Sequence, residues 1–206
     1  TIYNPIVSQE LLEKATEPID WTYKTKTILA VGRFVPAKDY PTLLSAFALL
    51  RKKRAATLII LGEGELQSQM WSIAKRLGVA EDVVMPGFVP NPYAWMKRAD
   101  LFVMSSAWEG LPTVLIEAMA CGTPVVSTDC PSGPFEILEG GKWGRLVPVG
   151  DHEALAKAML DTLDDPNQPD VKLRASNFNV ASAVDSYLDL LGNDSVPEVL
   201  DGASHL

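Results

Sequence analysis

The stretch from Leu101 to Ser127, LFVMSSAWEGLPTVLIEAMACGTPVVS, decides the fold. Leu101-Phe102-Val103-Met104 is a short apolar run that reads as a buried strand. Pro112 fits the first position of a helix and Gly122 fits just past its end. About ten residues lie between, a helix of roughly 15 Å. Pro124 to Ser127 is a second apolar strand. The helix is apolar almost all round (Val114, Leu115, Ile116, Ala118, Met119, Ala120, Cys121), so it is expected to be buried. Glu117 breaks that pattern, and a buried carboxylate is costly without partners. A second acid, Glu109, lies in the loop before the helix, where its charge suits the positive helix end. That end also suits a ligand anion. Two readings stand on these residues alone. Glu109 helps start the helix and Glu117 sits on a wet edge, or both line one crevice and accept hydrogen bonds from a hydroxyl-rich ligand.

The same alternation extends in both directions. Thr27–Val31 and Thr57–Leu61 read as strands, each closed by a glycine, with Val83–Met85 as a shorter one. Asp39 and Pro41 open a helix with Leu43, Ala46, Phe47 and Leu50 at helical spacing. Leu66, Met70, Ile73 and Leu77 mark another, which Gly78 ends. Asn91-Pro92 caps and starts a small helix, and Ser8–Ala15 fits one short helix more. After a last strand at Leu146-Val147, Asp151 caps a helix reaching about Leu163. Val180, Val184, Tyr187 and Leu191 mark the final one. Continuous apolar strands separated by helices predict an α/β fold, a doubly wound parallel Rossmann-like sheet covered on both faces. Such sheets bind ligands beyond the carboxyl ends of their strands, where strand order reverses. The expected order is 3-2-1-4-5-6, which brings the loop after Val31 beside the loop after Met104. Residues 26–191 form the expected domain, 1–25 an entry segment and 192–206 a flexible tail.

The loop after the first strand, Gly32-Arg33-Phe34-Val35-Pro36-Ala37-Lys38, has one glycine and two cations. Arg33 offers a planar fork for phosphate oxygens and Lys38 a movable point charge. Facing the helix tip, they make a diphosphate cradle. The plainer reading pairs them with Asp39 or other acids; the two glutamates across the switch point favour the cradle. Gly62-Glu63-Gly64-Glu65 lacks the third glycine of a dinucleotide loop and reads as a turn. The missing glycine fingerprint after the first strand argues against a nicotinamide-dependent oxidoreductase. The run Thr128 to Pro134 is either a ligand-approaching backbone or a tight turn, and Trp108 is either core or crevice wall.

The totals bound the function. The chain has 206 residues, is 47% hydrophobic and carries a net charge of −8, enough for one sizeable core. Residues 1–103 hold 13 Lys/Arg against 10 Asp/Glu, and residues 104–206 hold 5 against 16. With no basic stripe, nucleic acid is not an expected partner. The one basic run, Arg51–Arg54, reads as a solvated helix end. Two cysteines have neither disulfide nor metal spacing, and two histidines do not suffice for a multi-His site. No run approaches the ~20 apolar residues of a membrane span. The expected location is cytoplasmic, with membrane association only through a further domain.

Five segments, VGRFVPAKDYPTLLSAF, LIILGEGE, VVMPGFVP, ADLFVMSSAWEGLPTVLIEAMACGTPVVSTDCPSGPFEIL and GRLVPVGD, occur in the order found in retaining glycosyltransferases of family 4, the GT-B type. Over roughly residues 27–163 the chain resembles the nucleotide-binding half of that family. The Glu109/Glu117 pair, with seven residues between, is similar to its hallmark. The resemblance implies that Gly32, Arg33 and Lys38 hold the diphosphate of a nucleotide-sugar donor. It implies that Glu117 binds ribose hydroxyls and that Glu109 and Gly110 meet the transferred sugar. Phe88 and Val89 would meet the base, and Leu111, Pro112 and Thr113 would present backbone amides. Glu109, Arg33 and Lys38 are then the candidate catalytic residues. The implied reaction is metal- and cofactor-independent transfer of a hexose or N-acetylhexosamine with retention, onto an acceptor held by a missing N-terminal domain. The alternative is a nucleotide-binding module without turnover. Phe135 departs from the pattern, since relatives often carry Arg there. The face of Val180, Val184 and Tyr187 is expected to be exposed.

Overall fold

The computed structural model describes residues 3–192; the expected tail beyond 192 lies outside them. Six parallel strands form one sheet in the order β3-β2-β1-β4-β5-β6. They are β1 (Lys26–Val31), β2 (Ala56–Leu61), β3 (Val83–Gly87), β4 (Leu101–Met104), β5 (Val125–Thr128) and β6 (Arg145–Val147). The helices are α1 (Gln9–Lys14), α2 (Tyr40–Arg51), α3 (Gln67–Arg76), α4 (Pro92–Arg98), α5 (Thr113–Cys121), α6 (Pro134–Ile137), α7 (His152–Asp164), α8 (Val171–Ala175) and α9 (Val180–Gly192). The expected strand order holds, and β1 pairs with β4 through Ile28–Leu101 and Leu29–Phe102.

Side-chain alternation along the strands divides the core into two layers. Ile28, Leu58, Ile60, Leu101 and Val103 pack under α2, α3 and α7, with Phe47, Met70 and Met159. Leu29, Ile59, Leu61, Phe102 and Met104 pack under α1, α4, α5 and α8, with Leu11, Met96 and Ile116. Each such aliphatic side chain, fully buried, contributes on the order of 1.5–3 kcal/mol. The expected helix starts at Asp39, Asn91 and Asp151 are caps, and Ser8, expected inside its helix, is a fourth. Ser8, Asp39, Asn91 and Asp151 each accept a backbone N–H in the first turn of α1, α2, α4 and α7.

Some boundaries differ from the sequence reading. Pro112 is the residue before α5 rather than its first, and Gly122 ends that helix at φ 85°. The Thr123 N–H then closes on Ala118 O. β3 runs on through Pro86 to Gly87, which is tolerated because β3 is an edge strand. α6 and α8 were not expected. Arg174 of α8 holds both: its side chain is 3% exposed, and it donates to Ile137 O at 2.8 Å and Glu136 O at 2.9 Å. Its guanidinium lies over the rings of Tyr3 and Phe178. The entry segment is tied in beside it, with Ile6 and Val7 N–H donating to Phe178 O. On α9, Val180, Val184 and Tyr187 are exposed, as expected.

Candidate functional site

At the carboxyl edge of the sheet, the loops after β1, β2 and β3 enclose a cleft of about 500 Å³. Gly32 and Arg33, Gly62 and Glu63, and Phe88 and Val89 are on its walls. The glycines are there because backbone meets backbone. Gly62, at φ 137°, packs so tightly against Gly32 O that a β-carbon would collide with it. A β-carbon on Gly64 would fall 2.5 Å from Phe34 O. The Gly62–Glu65 run is therefore a turn that locks onto the neighbouring loop, as its missing third glycine suggested. Phe34 N–H donates to Glu63 O at 2.8 Å, and Phe88 N–H to Glu63 Oε1 at 3.2 Å. Phe88 is 70% exposed, so its ring is a free stacking face.

The switch point between β1 and β4 joins the two charged loops. Lys38 Nζ donates to Glu109 Oε1 at 2.5 Å, with side chains 20% and 12% exposed. Ser106 Oγ donates to the same oxygen at 2.6 Å. Backbone bonds fix the approach: Ala107 N–H donates to Ala37 O and Ser105 Oγ to Lys38 O. The Lys38 stem passes over Gly32, and Tyr40 Oη donates to Gly32 O at 3.1 Å. Lys38 thus pairs with Glu109 and not with Asp39, which caps α2 from a left-handed backbone at φ 43°. Arg33 is exposed on the cleft wall. The two halves of the expected cradle adjoin at Gly32.

Glu117 is half-buried on the second turn of α5. Burial holds its carboxyl above the usual range, with a hydrogen bond from Thr113 opposing the rise. Burial likewise raises the Tyr93 phenol, and the Glu117 charge adds to that rise. Neither Glu117 nor Tyr93 lines the cleft walled by Gly32, Glu63 and Phe88. Burial pushes the Cys121 thiol up to about 12, so it packs as a thiol.

Gly110 and Leu111 are exposed just before the α5 tip. Pro112 has no N–H, and the Thr113 N–H is donated to Leu111 O. Of the three amides expected there, only that of Leu111 is available to a ligand, and Val114 adds one from the first turn. The run after β5 abuts this tip: a β-carbon on Gly133 would lie 2.5 Å from Pro112 Cδ. Trp108 is 56% exposed and so is not core. Sequence reasoning missed Glu63, whose partner Phe88 is in another loop, and Ser106, whose spacing of three residues from Glu109 in the same loop was a local signal. Among the described residues no group of three His, Cys, Asp or Glu side chains is placed to hold a metal ion. No helix among them is long and apolar enough to cross a membrane.

Residues 13–177 match the protein family described as glycosyl transferases group 1. The chain belongs to this family. This group 1 glycosyltransferase chain is 36% identical over 197 residues to an N-acetylgalactosaminyltransferase of Campylobacter jejuni that acts on N-acetylgalactosamine-N,N'-diacetylbacillosaminyl-diphospho-undecaprenol, matching 93% of this chain and 53% of that one. It is 32% identical to the lipopolysaccharide core biosynthesis glycosyltransferase LpsE of Rhizobium meliloti, over 85% of this chain and 52% of the relative. The group 1 chain therefore spans about half the length of these relatives. Among solved structures, it superposes on the apo form of the lipopolysaccharide outer core galactosyltransferase WaaB with a TM-score of 0.75 at 22% identity, covering 94% of this chain and 55% of that one. It superposes on Anabaena HepE in complex with UDP and glucose with a TM-score of 0.74 at 24% identity, covering 93% and 56%. These likenesses establish the Rossmann-like α/β fold of GT-B glycosyltransferases.

Proposed function

We propose that the chain is the donor-binding half of a retaining family 4 glycosyltransferase, transferring a hexose or N-acetylhexosamine from a nucleoside diphosphate. The observation that carries this reading is the Lys38–Glu109 ion pair, which puts a phosphate-binding cation and a sugar-binding carboxylate in contact at the switch point. The cleft beside it has the dimensions and lining of a nucleotide site, with the Phe88 ring and Val89 for the base. Arg33, Lys38 and the N–H groups of Leu111 and Val114 meet the diphosphate. Glu117 accepts the ribose hydroxyls. As the bond from the anomeric carbon to the β-phosphate oxygen breaks, its electron pair stays on that oxygen, the acceptor hydroxyl oxygen bonds to the carbon, and the hydroxyl proton goes to the leaving diphosphate. Charge developing there is stabilised by cations and amides already in place. Glu109 orients the sugar. The acceptor is held by a further domain, whose closure excludes water from the donor. The solved neighbour HepE is in complex with UDP and glucose, which supports a nucleotide-sugar as the ligand class.

The length relation to the relatives favours a second reading of the chain by itself, as a nucleotide-binding module that turns nothing over. Assaying it beside the longer protein separates the two. Calorimetric titration with UDP-, GDP- and ADP-sugars tests the donor site. One of them binds, and Arg33→Ala weakens it about tenfold, the scale of a lost charge-assisted hydrogen bond. Unchanged affinity would overturn the cradle, and no binding at millimolar nucleotide would overturn the donor site.

A further inference from the structure

Both donors that reach Glu109 converge on one oxygen. Lys38 Nζ and Ser106 Oγ meet Oε1, while Oε2 meets no donor among the described residues. A carboxylate has about four lone-pair sites, so Oε2 is the half of Glu109 left for a ligand. Ser106 is itself held from behind. Its side chain is buried, and Thr128 Oγ1, at the end of β5, donates to Ser106 O at 2.6 Å. Ser105 Oγ fixes Lys38 O from the same loop. Of the two donors, Lys38 is the one with a competing task. Its flexible stem lets the ammonium lean toward a diphosphate, and the serine hydroxyl has no such freedom.

We infer that Ser106 is a positioning residue for sugar recognition: it holds Glu109 Oε1 so that Oε2 faces the donor sugar when Lys38 is shared with phosphate. This inference rests on the donor-site reading above. Without Ser106, binding a diphosphate loosens the only remaining tether on Glu109, and the sugar loses an oriented acceptor. The quantity that reports this is the ratio of affinities for the nucleotide-sugar and the bare nucleoside diphosphate, because a general loss of packing weakens both alike.

The test is calorimetry on the chain with UDP, UDP-glucose, UDP-N-acetylglucosamine and UDP-N-acetylgalactosamine, alongside GDP with GDP-mannose and ADP with ADP-glucose, for the wild type, Ser106→Ala and Ser106→Cys. The cysteine keeps a side chain at the buried position but donates weakly, so one variant remains informative if the other does not fold. The expected result is a wild-type preference for the sugar-bearing ligand that falls roughly tenfold in both variants, about 1.4 kcal/mol. A preference that survives in the folded variants overturns the role of Ser106 and leaves the donor site standing. A wild type that binds UDP-glucose no better than UDP, and likewise for the other pairs, also overturns it. Failure of every nucleotide to bind the wild type overturns the donor site, and this inference with it.

Discussion

Replacing Arg174 by methionine tests whether one buried side chain holds the back of the site together. Arg174 donates to the Ile137 and Glu136 carbonyls at the end of α6 and, at 3.3 Å, to the Tyr3 hydroxyl. Methionine keeps much of the packing between the Tyr3 and Phe178 rings but orphans the buried Ile137 carbonyl. Glu136 O, on an exposed residue, still accepts from Glu139 N–H. Leaving a buried acceptor unpaired costs about 1–3 kcal/mol. Against that, the variant no longer desolvates a guanidinium, which offsets part of the loss. The ion pair with Glu139 is at an exposed edge and adds nothing to the estimate. The net expectation is a loss of about 1–2 kcal/mol. At roughly 2–4 °C per kcal/mol for a chain of this size, the melting temperature falls by about 2–8 °C. Scanning calorimetry measures it. Because α6 follows the turn in which Gly133 abuts Pro112, donor affinity is expected to weaken in the folded variant as well. A drop below about 1 °C would refute the reasoning, since it would mean that water or backbone movement repairs the Ile137 carbonyl without cost.

Two further outcomes are expected. Gly62→Ala places a methyl against Gly32 O at a backbone φ of 137°, so it is expected to destabilise by more than the ~1 kcal/mol typical of point substitutions and to widen the cleft; a urea titration that matches the wild type would contradict it. Glu117→Gln is expected to raise the melting temperature of the unliganded chain at neutral pH while weakening nucleotide binding about tenfold or more. The sign follows from burial. The folded pKa is raised, so the charged form costs the fold stability above that pKa, and the cost disappears as pH falls through it toward the ordinary carboxylate value. The gap between variant and wild type should therefore close on acidification, and melts across that range that stay parallel would count against it.

What the sequence disclosed and what it withheld divide along a physical line. Long periodic or continuous apolar runs announce themselves, so the six strands and α2, α3, α5 and α7 were legible, with the helix starts at Asp39, Asn91 and Asp151. α6 and α8 have four and five residues, too few for a helical period to show. Arg174 gave no signal because its partners, Tyr3 and the carbonyls of residues 136 and 137, are distant in the chain. At the switch point, the nearness of the loops that carry Lys38 and Glu109 was legible from strand order. The partner of Lys38 was not, since Asp39 was nearer in sequence and only its left-handed backbone turns it to capping α2. The amide count at the α5 tip failed for a similar reason: Pro112 precedes the helix, and Thr113 spends its N–H locally.

The absence of room for a single methyl between Gly62 and the Gly32 carbonyl has a practical consequence for engineering. On the proposed donor reading, the wall assigned to the phosphates and the wall assigned to the base are cast as one piece. Anyone altering donor choice by transplanting a turn from a relative has to carry its neighbour across with it, because either turn alone arrives shaped for a counterpart that is no longer there.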